Sequence, residues 1–133
     1  MLLAGGERVV GGNMLSGAVA ARSVVVEKLE LLRTRAAIRS VDVANMLGTT
    51  PRTVSRWNQG HANPRPSKEI LLADLEYIVE RLAEFYSDPM TVRAWLYSRH
   101  RYFDGLRPAD LIREGRAQEV LEAVHAMADP GHT

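Results

Sequence analysis

Apolar residues recur at helical spacing along most of the chain. Between Ala20 and Thr34 they form one stripe, at Val24, Val25, Leu29 and Leu32. No stretch alternates between apolar and polar residues for long enough to make a strand, and no hairpin dipeptide is present. The pattern therefore predicts an all-α protein.

Capping residues predict two short helices in the middle of the chain. Ser40 can cap a helix over 41–47, and Gly48 can end it because glycine readily takes the left-handed conformation that closes a helix. Thr50 can cap a second helix over 51–58, whose first residue is a proline and has no backbone N–H to satisfy. Only a short turn separates the two predicted helices.

A longer periodic segment follows these helices. We predict a helix over 68–86, capped by Ser67, with an apolar seam at Leu71, Leu75, Ile78, Leu82 and Phe85. Because the seam covers fewer than three heptads, we favour packing on the protein's own core over a coiled-coil dimer. Dimerisation stays open, since the neighbouring face carries Leu72 and Val79.

Three shorter helices are predicted in the last third of the chain. One covers 89–97, a short one starts at Pro108, and Gly115 separates that one from a last helix over 116–127. Their apolar sides carry Val92, Trp95, Leu96, Val120, Leu121 and Val124. We therefore expect a small helical unit at the C-terminal end.

The two middle helices match the spacing of a helix-turn-helix. Ala44 is the small residue that lets the second helix cross closely, and Gly48 supplies the turn. Four apolar residues are expected to face inward and fill the angle between the helices: Val43, Leu47, Val54 and Trp57. A unit of this kind either binds DNA or serves only as a packing unit.

Charge is unevenly distributed, although the net charge is only +1. Residues 33–68 hold seven Arg or Lys and one acidic residue, Asp42, a net charge of +6. Residues 69–133 hold seven Arg and twelve acidic residues, a net charge of −5. This asymmetry favours DNA binding by the helix-turn-helix, and two surfaces with different partners, over chance clustering on a solvated surface.

The outward face of the helix over 51–58 carries the predicted contacts with double-stranded DNA. Arginine can bind guanine through two hydrogen bonds, and asparagine or glutamine can bind adenine in the same way. Threonine hydroxyls, backbone N–H groups and nearby cations suit phosphate oxygens. The predicted DNA contacts are Thr50, Arg52, Thr53, Ser55, Arg56, Asn58, Gln59, Arg65 and Lys68.

An enzyme has little support in this sequence. The four histidines have no paired metal spacing, cysteine is absent, and the glycine pairs near the N-terminus are not phosphate loops. We therefore predict no catalytic residue, no metal and no cofactor. No apolar run is long enough to cross a bilayer, so we expect a cytoplasmic protein with no membrane partner.

Three segments carry a resemblance to a known family: Trp95-Leu96, Phe103-Asp104-Gly105-Leu106-Arg107-Pro108-Ala109-Asp110-Leu111-Ile112, and Arg52-Thr53-Val54-Ser55-Arg56-Trp57. Gly115, Val120 and Leu121 extend the second of them. On these residues the chain resembles the Xre/MbcA/ParS family of bacterial antitoxins, over about residues 24–127. The glycine-rich stretch before residue 14 and the basic segment 98–102 depart from the family pattern.

The resemblance implies a type II antitoxin whose partner is a RES-domain toxin, an enzyme that attacks NAD. It also implies that the C-terminal region covers the entrance to the toxin's active site, while the N-terminal part represses the shared operon. We expect a homodimer or a higher assembly with the toxin. The toxin contacts assigned on this basis are Tyr97, Arg99, Arg101, Tyr102, Arg107, Pro108, Asp110 and Arg113. The alternative is a free-standing repressor whose C-terminal half only dimerises.

These expectations divide the chain into four segments. Residues 1–20 are predicted to be a flexible extension, and 21–66 a helix-turn-helix unit that binds DNA. Residues 67–88 are predicted to form a long connecting or dimerisation helix, and 89–133 a small helical unit that binds the toxin. Within that last unit, Trp95 and Phe103 are expected in the core.

Overall fold

The computed structural model describes residues 24–128 and shows seven α-helices, with no strand in that part of the chain. In chain order they are α1 (24–36), α2 (Ser40–Leu47), α3 (Pro51–Asn58), α4 (Pro66–Phe85), α5 (Pro89–Tyr97), α6 (Pro108–Arg113) and α7 (Ala117–Ala128). A 3₁₀ turn, Arg101–Phe103, lies between α5 and α6. The predicted all-α fold is confirmed. The predicted extension over 1–20 lies outside the described residues.

The start of α2 differs from the prediction. Ser40 is the first helical residue rather than the cap, and Arg39 is the extended residue before the helix. The backbone N–H of Arg39 donates to Oδ2 of Asp42 at 2.9 Å. Because this carboxylate reaches back over the first turn, the helix needs no hydroxyl cap at its start. Its predicted end is confirmed, with Gly48 in the left-handed region at φ 70°.

The start of α3 is as predicted. Thr50 is the N-cap, and its hydroxyl accepts a hydrogen bond from the backbone N–H of Thr53 at 3.1 Å. Pro51 is the first helical residue. The cap and the proline together set where the second helix of the helix-turn-helix begins.

The long helix α4 starts one residue before the predicted cap. Ser67 lies inside the helix, and Arg65 is the extended residue ahead of it. The reason is Pro66, whose fixed φ and missing N–H suit the first helical position. The prediction that Ser67 caps this helix is therefore wrong.

The buried face of α4 is rotated relative to the predicted seam. Its buried residues are Leu72, Leu75, Ile78, Val79 and Leu82. Leu71 is only half-buried and Phe85 is 45% exposed, so the two ends of the predicted seam are wrong. The helix packs against α2, α5 and α7, and Leu72 and Val79 are fully buried. Packing on the chain's own core is confirmed, and those two residues are not available to a dimer.

All seven helices share one continuous hydrophobic core. The residues predicted to lie between the two helices of the helix-turn-helix, α2 and α3, are buried: Val43, Ala44, Leu47, Val54 and Trp57. Contacts between α2 and α6 place the helix-turn-helix directly on the C-terminal helices. Phe103 is buried as expected, whereas Trp95 is only half-buried. No helix within residues 24–128 is long and apolar enough to cross a bilayer.

Candidate functional site

The outward face of α3 presents two arginines one helical turn apart. Val54 and Trp57 point into the core, with exposed fractions of 0% and 3%. Arg52 and Arg56 are exposed on the other side of the helix, and the only polar contact made by either guanidinium within residues 24–128 is a 3.4 Å hydrogen bond from Arg56 to the carbonyl of His61. Both side chains are therefore available to a ligand.

The remaining predicted DNA contacts lie around this pair. Asn58 and Gln59 are exposed at the end of α3, and Ser55 is half-buried. At its start the hydroxyl of Thr50 accepts from the N–H of Thr53 and donates to the Thr53 hydroxyl at 2.9 Å. The two threonines are thus engaged in the cap, which holds the first turn of α3 in a fixed position.

A groove of about 320 Å³ runs along the side of α3 toward the start of α4. Its lining residues are Thr49, Thr53, Trp57, Ala62, Asn63, Arg65 and Lys68. Lys68 is half-buried, and its ammonium donates to the carbonyl of Leu47 at 2.7 Å, which satisfies the last turn of α2. Arg65 is exposed, so it is the cation of the groove that faces solvent.

The one acidic residue of the basic segment, Asp42, does not face solvent. It is 7% exposed and is the only buried charged residue within residues 24–128. Arg93 of α5 donates to its two oxygens at 2.7 and 3.1 Å, and the hydroxyl of Tyr97 donates at 3.1 Å. Arg93 also donates to the carbonyl of Ala37 at 2.9 Å. We call Asp42, Arg93 and Tyr97 the buried cluster; it joins α2 to α5 and keeps the one carboxylate of segment 33–68 out of solvent.

Burial and hydrogen bonding act in opposite directions on the pKa of Asp42. Burial alone raises it, but the hydrogen bonds from Arg93, the Arg39 N–H and Tyr97 favour the carboxylate and hold the pKa below its ordinary value. Burial and the neighbouring carboxylate raise the pKa of Tyr97 to about 12, because both disfavour a phenolate there. At neutral pH the cluster therefore contains a carboxylate, a guanidinium and a neutral phenol.

Most of the predicted toxin contacts in the C-terminal half are engaged within the chain. Tyr97 belongs to the buried cluster, and Arg99 donates to the carbonyl of Gly105 at 3.2 Å. Arg107 pairs with Asp110 at 2.9 Å, and Arg113 donates to Asn45 of α2. Pro108 is buried and starts α6, so it presents no surface. Arg101 and Tyr102 point outward, and Tyr102 is 69% exposed.

Sequence reasoning missed the buried cluster and the role of His100. The one available signal for the cluster is that Asp42 is the single acidic residue in a segment of net charge +6. Its partner Arg93 lies 51 residues further along the chain, and no local pattern pairs the two. His100 Nε2 lies 2.8 Å from the carbonyl oxygen of Trp95, and its ring packs on Trp95 at 4.7 Å. Within residues 24–128, no group of three or more side chains is arranged to hold a metal.

Comparison with solved structures indicates the class of protein. One chain of the crystal structure of the Mycobacterium tuberculosis MbcT–MbcA toxin–antitoxin complex has a similar fold, with a TM-score of 0.69 and 28% identity. The similarity covers 83% of this chain and 98% of that chain. No family model matches the sequence. The class is that of an antitoxin from a toxin–antitoxin system.

Comparison with curated proteins gives the family. The mycobacterial cidal antitoxin MbcA of Mycobacterium bovis and of M. tuberculosis is 31% identical over 120 residues, 90% of this chain and 96% of the relative. A probable mycobacterial cidal antitoxin of M. tuberculosis, Rv3188, is 33% identical over 92 residues, 69% of this chain and 77% of that protein. The chain belongs to the family of the mycobacterial cidal antitoxin MbcA, and the predicted resemblance is confirmed.

Proposed function

We propose that this chain neutralises a RES-domain toxin that degrades NAD, and that it represses its own operon through α2 and α3. The observation that carries the first part is the similarity to MbcA over 90% of the chain, which includes both the helix-turn-helix and the C-terminal helices. Neutralisation of this kind needs no catalytic residue in the antitoxin. The C-terminal helices cover the toxin's active-site entrance, and the protein acts in the cytoplasm.

The surface of α3 supports operator binding. Its two outward arginines make only one long contact within residues 24–128, and the only acidic residue of segment 33–68 is buried in an ion pair. A helix of this kind can enter the major groove with arginines facing the base edges. Arg65 at the adjacent groove supplies a phosphate contact, and Lys68 adds to the local potential.

Co-expression with the product of an adjacent RES-domain reading frame tests toxin neutralisation. The toxin alone is expected to lower cellular NAD and stop growth, while the toxin with this chain is expected to leave both near normal. The two proteins are expected to co-purify. Continued loss of NAD in the presence of this chain, with no complex recovered, contradicts the proposal.

Titration of the gene's own promoter at increasing salt concentration tests operator binding. If several phosphates are contacted, the affinity falls steeply with salt, roughly by one power of the salt concentration per phosphate. A scrambled duplex of equal length is the control. Equal affinity for the promoter and the scrambled duplex argues against an operator.

A free-standing repressor that dimerises through its own helices is the second candidate function, and it needs an exposed apolar face for the dimer contact. Helix α4 leaves three large apolar residues exposed, Ile70 at 64%, Tyr77 at 38% and Phe85 at 45%. A homodimer formed there is compatible with either function. Absence of a toxin reading frame beside the gene, together with a stable dimer by sedimentation that the change Ile70→Glu dissociates, favours this alternative.

A further inference from the structure

A cleft of about 330 Å³ lies between the 3₁₀ turn and the C-terminal part of α7. We call it the aromatic cleft; its lining residues are Trp95, His100, Tyr102, Phe103, Ala123, Ala126 and Met127. One wall consists of packed rings, with ring centroids 6.2 Å apart for Trp95 and Phe103 and 5.1 Å apart for Tyr102 and Phe103. The other wall consists of Ala123, Ala126 and Met127 of α7, and the two alanines leave space beside the rings.

The ring wall is held in place by contacts within the chain. His100 Nε2 lies 2.8 Å from the carbonyl oxygen of Trp95, and the backbone N–H of His100 donates to the carbonyl of Leu106 at 3.2 Å. Two residues with positive φ, Asp104 at 56° and Gly105 at 81°, close the turn between them. A preformed cleft loses little conformational entropy when it is filled, which favours binding.

The mouth of the cleft exposes apolar groups that a monomer would usually cover. Tyr102 is 69% exposed and Met127 is 36% exposed, although Phe103 between them and the core is 6% exposed. Exposed aromatic and methionine side chains at the edge of a concave site are typical of protein-binding surfaces. The cleft is continuous with the proposed toxin contacts, because Tyr102 belongs to both.

The charges around the mouth indicate the chemistry of the occupant. Segment 98–107 carries three arginines and one aspartate, a net charge of +2 within a C-terminal half whose net charge is −5. Arg99 and Arg101 are exposed beside the ring wall. The lining of the cleft contains no Arg, Lys, Asp or Glu; Arg99 and Arg101 adjoin the ring wall in the chain, whereas Glu122 adjoins the α7 wall. An apolar interior with cations on the ring side suits an apolar side chain whose acidic neighbours lie toward the ring wall, rather than a small charged ligand held inside.

We propose that the aromatic cleft receives an apolar side chain of the toxin, and that carboxylates next to that side chain meet Arg99 and Arg101. This inference rests on the proposed function, because it takes the toxin as the partner. The cleft is thus an anchor point for the partner, separate in the chain from the DNA-facing side of α3.

Filling the cleft tests the inference without removing any contact from the protein. Ala126→Leu places a larger side chain in the cleft from the half-buried position on α7. The dissociation constant for the purified toxin is expected to rise by about tenfold or more, since hot-spot contacts at interface centres are of this size. Thr34→Leu, an enlargement on the exposed side of α1 and outside every proposed binding surface, is the control and is expected to leave it unchanged. Thermal unfolding of both variants shows that they are folded.

Charge reversal at the rim provides a second readout. Arg99→Glu with Arg101→Glu is expected to weaken toxin binding most at low salt, because rim charges are screened as salt rises. An unchanged dissociation constant for the Ala126→Leu variant overturns the inference while leaving the proposed function intact. Failure of the unmodified chain to bind the toxin at all overturns the proposed function, and this inference with it.

Discussion

The arginines of the helix-turn-helix and those of the C-terminal half have opposite surroundings. On α3, Arg52 makes no side-chain hydrogen bond or ion pair with the rest of residues 24–128, and Arg56 makes one long hydrogen bond. In the C-terminal half, most arginines have a partner within the chain, namely Arg81, Arg93, Arg99, Arg107, Arg113 and Arg116. The same residue type is therefore available to a ligand in one region and mostly engaged in internal contacts in the other.

This difference shows why a count of charges does not locate a binding surface. An arginine that is already paired gives up that pairing when it binds a partner, which offsets part of the gain. An exposed pair such as Arg116 with Glu119 adds little to stability, because solvent screens the attraction between the two charges. Within the C-terminal half, Arg101 and Tyr102 remain as the outward-facing candidates, and we expect most of the toxin affinity to come from these two residues and the aromatic cleft beside them.

The largest expected effect concerns these two residues. Arg101→Ala with Tyr102→Ala is expected to weaken toxin binding by about a hundredfold or more, because exposed arginine and tyrosine side chains are frequent hot spots. Calorimetric titration with the purified toxin measures this. Arg113→Ala, whose side chain already contacts Asn45, is the control and is expected to have a small effect. If Arg113→Ala weakens toxin binding more than the double variant does, the expected difference between engaged and outward-facing arginines is contradicted.

The next effect concerns the buried cluster. Asp42→Ala leaves Arg93 without its carboxylate partner and is expected to lower the free energy of unfolding by about 3 kcal/mol. Because the pKa of Asp42 is lowered in the folded state, the stabilisation is present above its ordinary pKa of 3.8 and is lost as the pH falls below that value. Urea unfolding at several acidic pH values measures this.

A variant that behaves like the unmodified protein at neutral pH contradicts the assigned role of Asp42. If the variant loses the same free energy of unfolding at every pH, the loss reflects a packing defect rather than a lost ion pair. The unmodified chain should become less stable in acid, and the Asp42→Ala variant should show less of that dependence.

A smaller effect is expected from the phenol of the cluster. Tyr97→Phe removes one hydrogen bond to Asp42 and is expected to cost about 1 kcal/mol. The raised pKa of Tyr97 means that its stabilising contribution is present below pH 10 and is lost as the pH rises through about 12. Stability should therefore fall less steeply in that range for the variant, as followed by circular dichroism. If the free energy of unfolding of the two proteins falls in parallel as the pH rises from 10 to 12, the phenol of Tyr97 does not have the assigned role.

The smallest expected effect is stabilising. Ala37 follows α1 and has a φ of 54°. This left-handed conformation is energetically unfavourable for any residue that has a Cβ atom. Its N–H donates to the carbonyl of Arg33 at 3.1 Å, which closes the end of the helix. Ala37→Gly is expected to raise the free energy of unfolding by roughly 0.5–1 kcal/mol. A lower melting temperature for the variant indicates instead that glycine's greater conformational entropy in the unfolded chain outweighs the relief of backbone strain.

Local patterns in the sequence were sufficient to predict the two helices and the turn of the helix-turn-helix. The residues that define it, Ala44, Gly48, Thr50, Val54 and Trp57, lie within fourteen positions of one another, and their roles depend on neighbours one or two turns away. As the spacing predicts, Ala44, Val54 and Trp57 are buried, Thr50 caps α3 and Gly48 forms the turn. Short-range geometry is what helical spacing encodes.

Features that depend on tertiary packing were not predictable in the same way. The rotated face of α4 follows from the positions of α5 and α7, which the periodicity of one helix does not contain. The pairing of Asp42 with Arg93 joins residues far apart in the chain. Which arginines are engaged also follows from such contacts, so the predicted toxin contacts included Arg99, Arg107 and Arg113, which have partners within the chain.

A matched pair of double variants tests most directly the division between the two sets of arginines. Arg52→Ala with Arg56→Ala, and Arg107→Ala with Arg116→Ala, change the net charge equally and lie outside the core. Fluorescence anisotropy with the gene's own promoter gives both dissociation constants. We predict a rise of about a hundredfold or more for the α3 variant, since each guanine contact contributes about 1–3 kcal/mol, and little change for the other. Equal losses in the two variants, or an unchanged affinity for the α3 variant, would contradict the account.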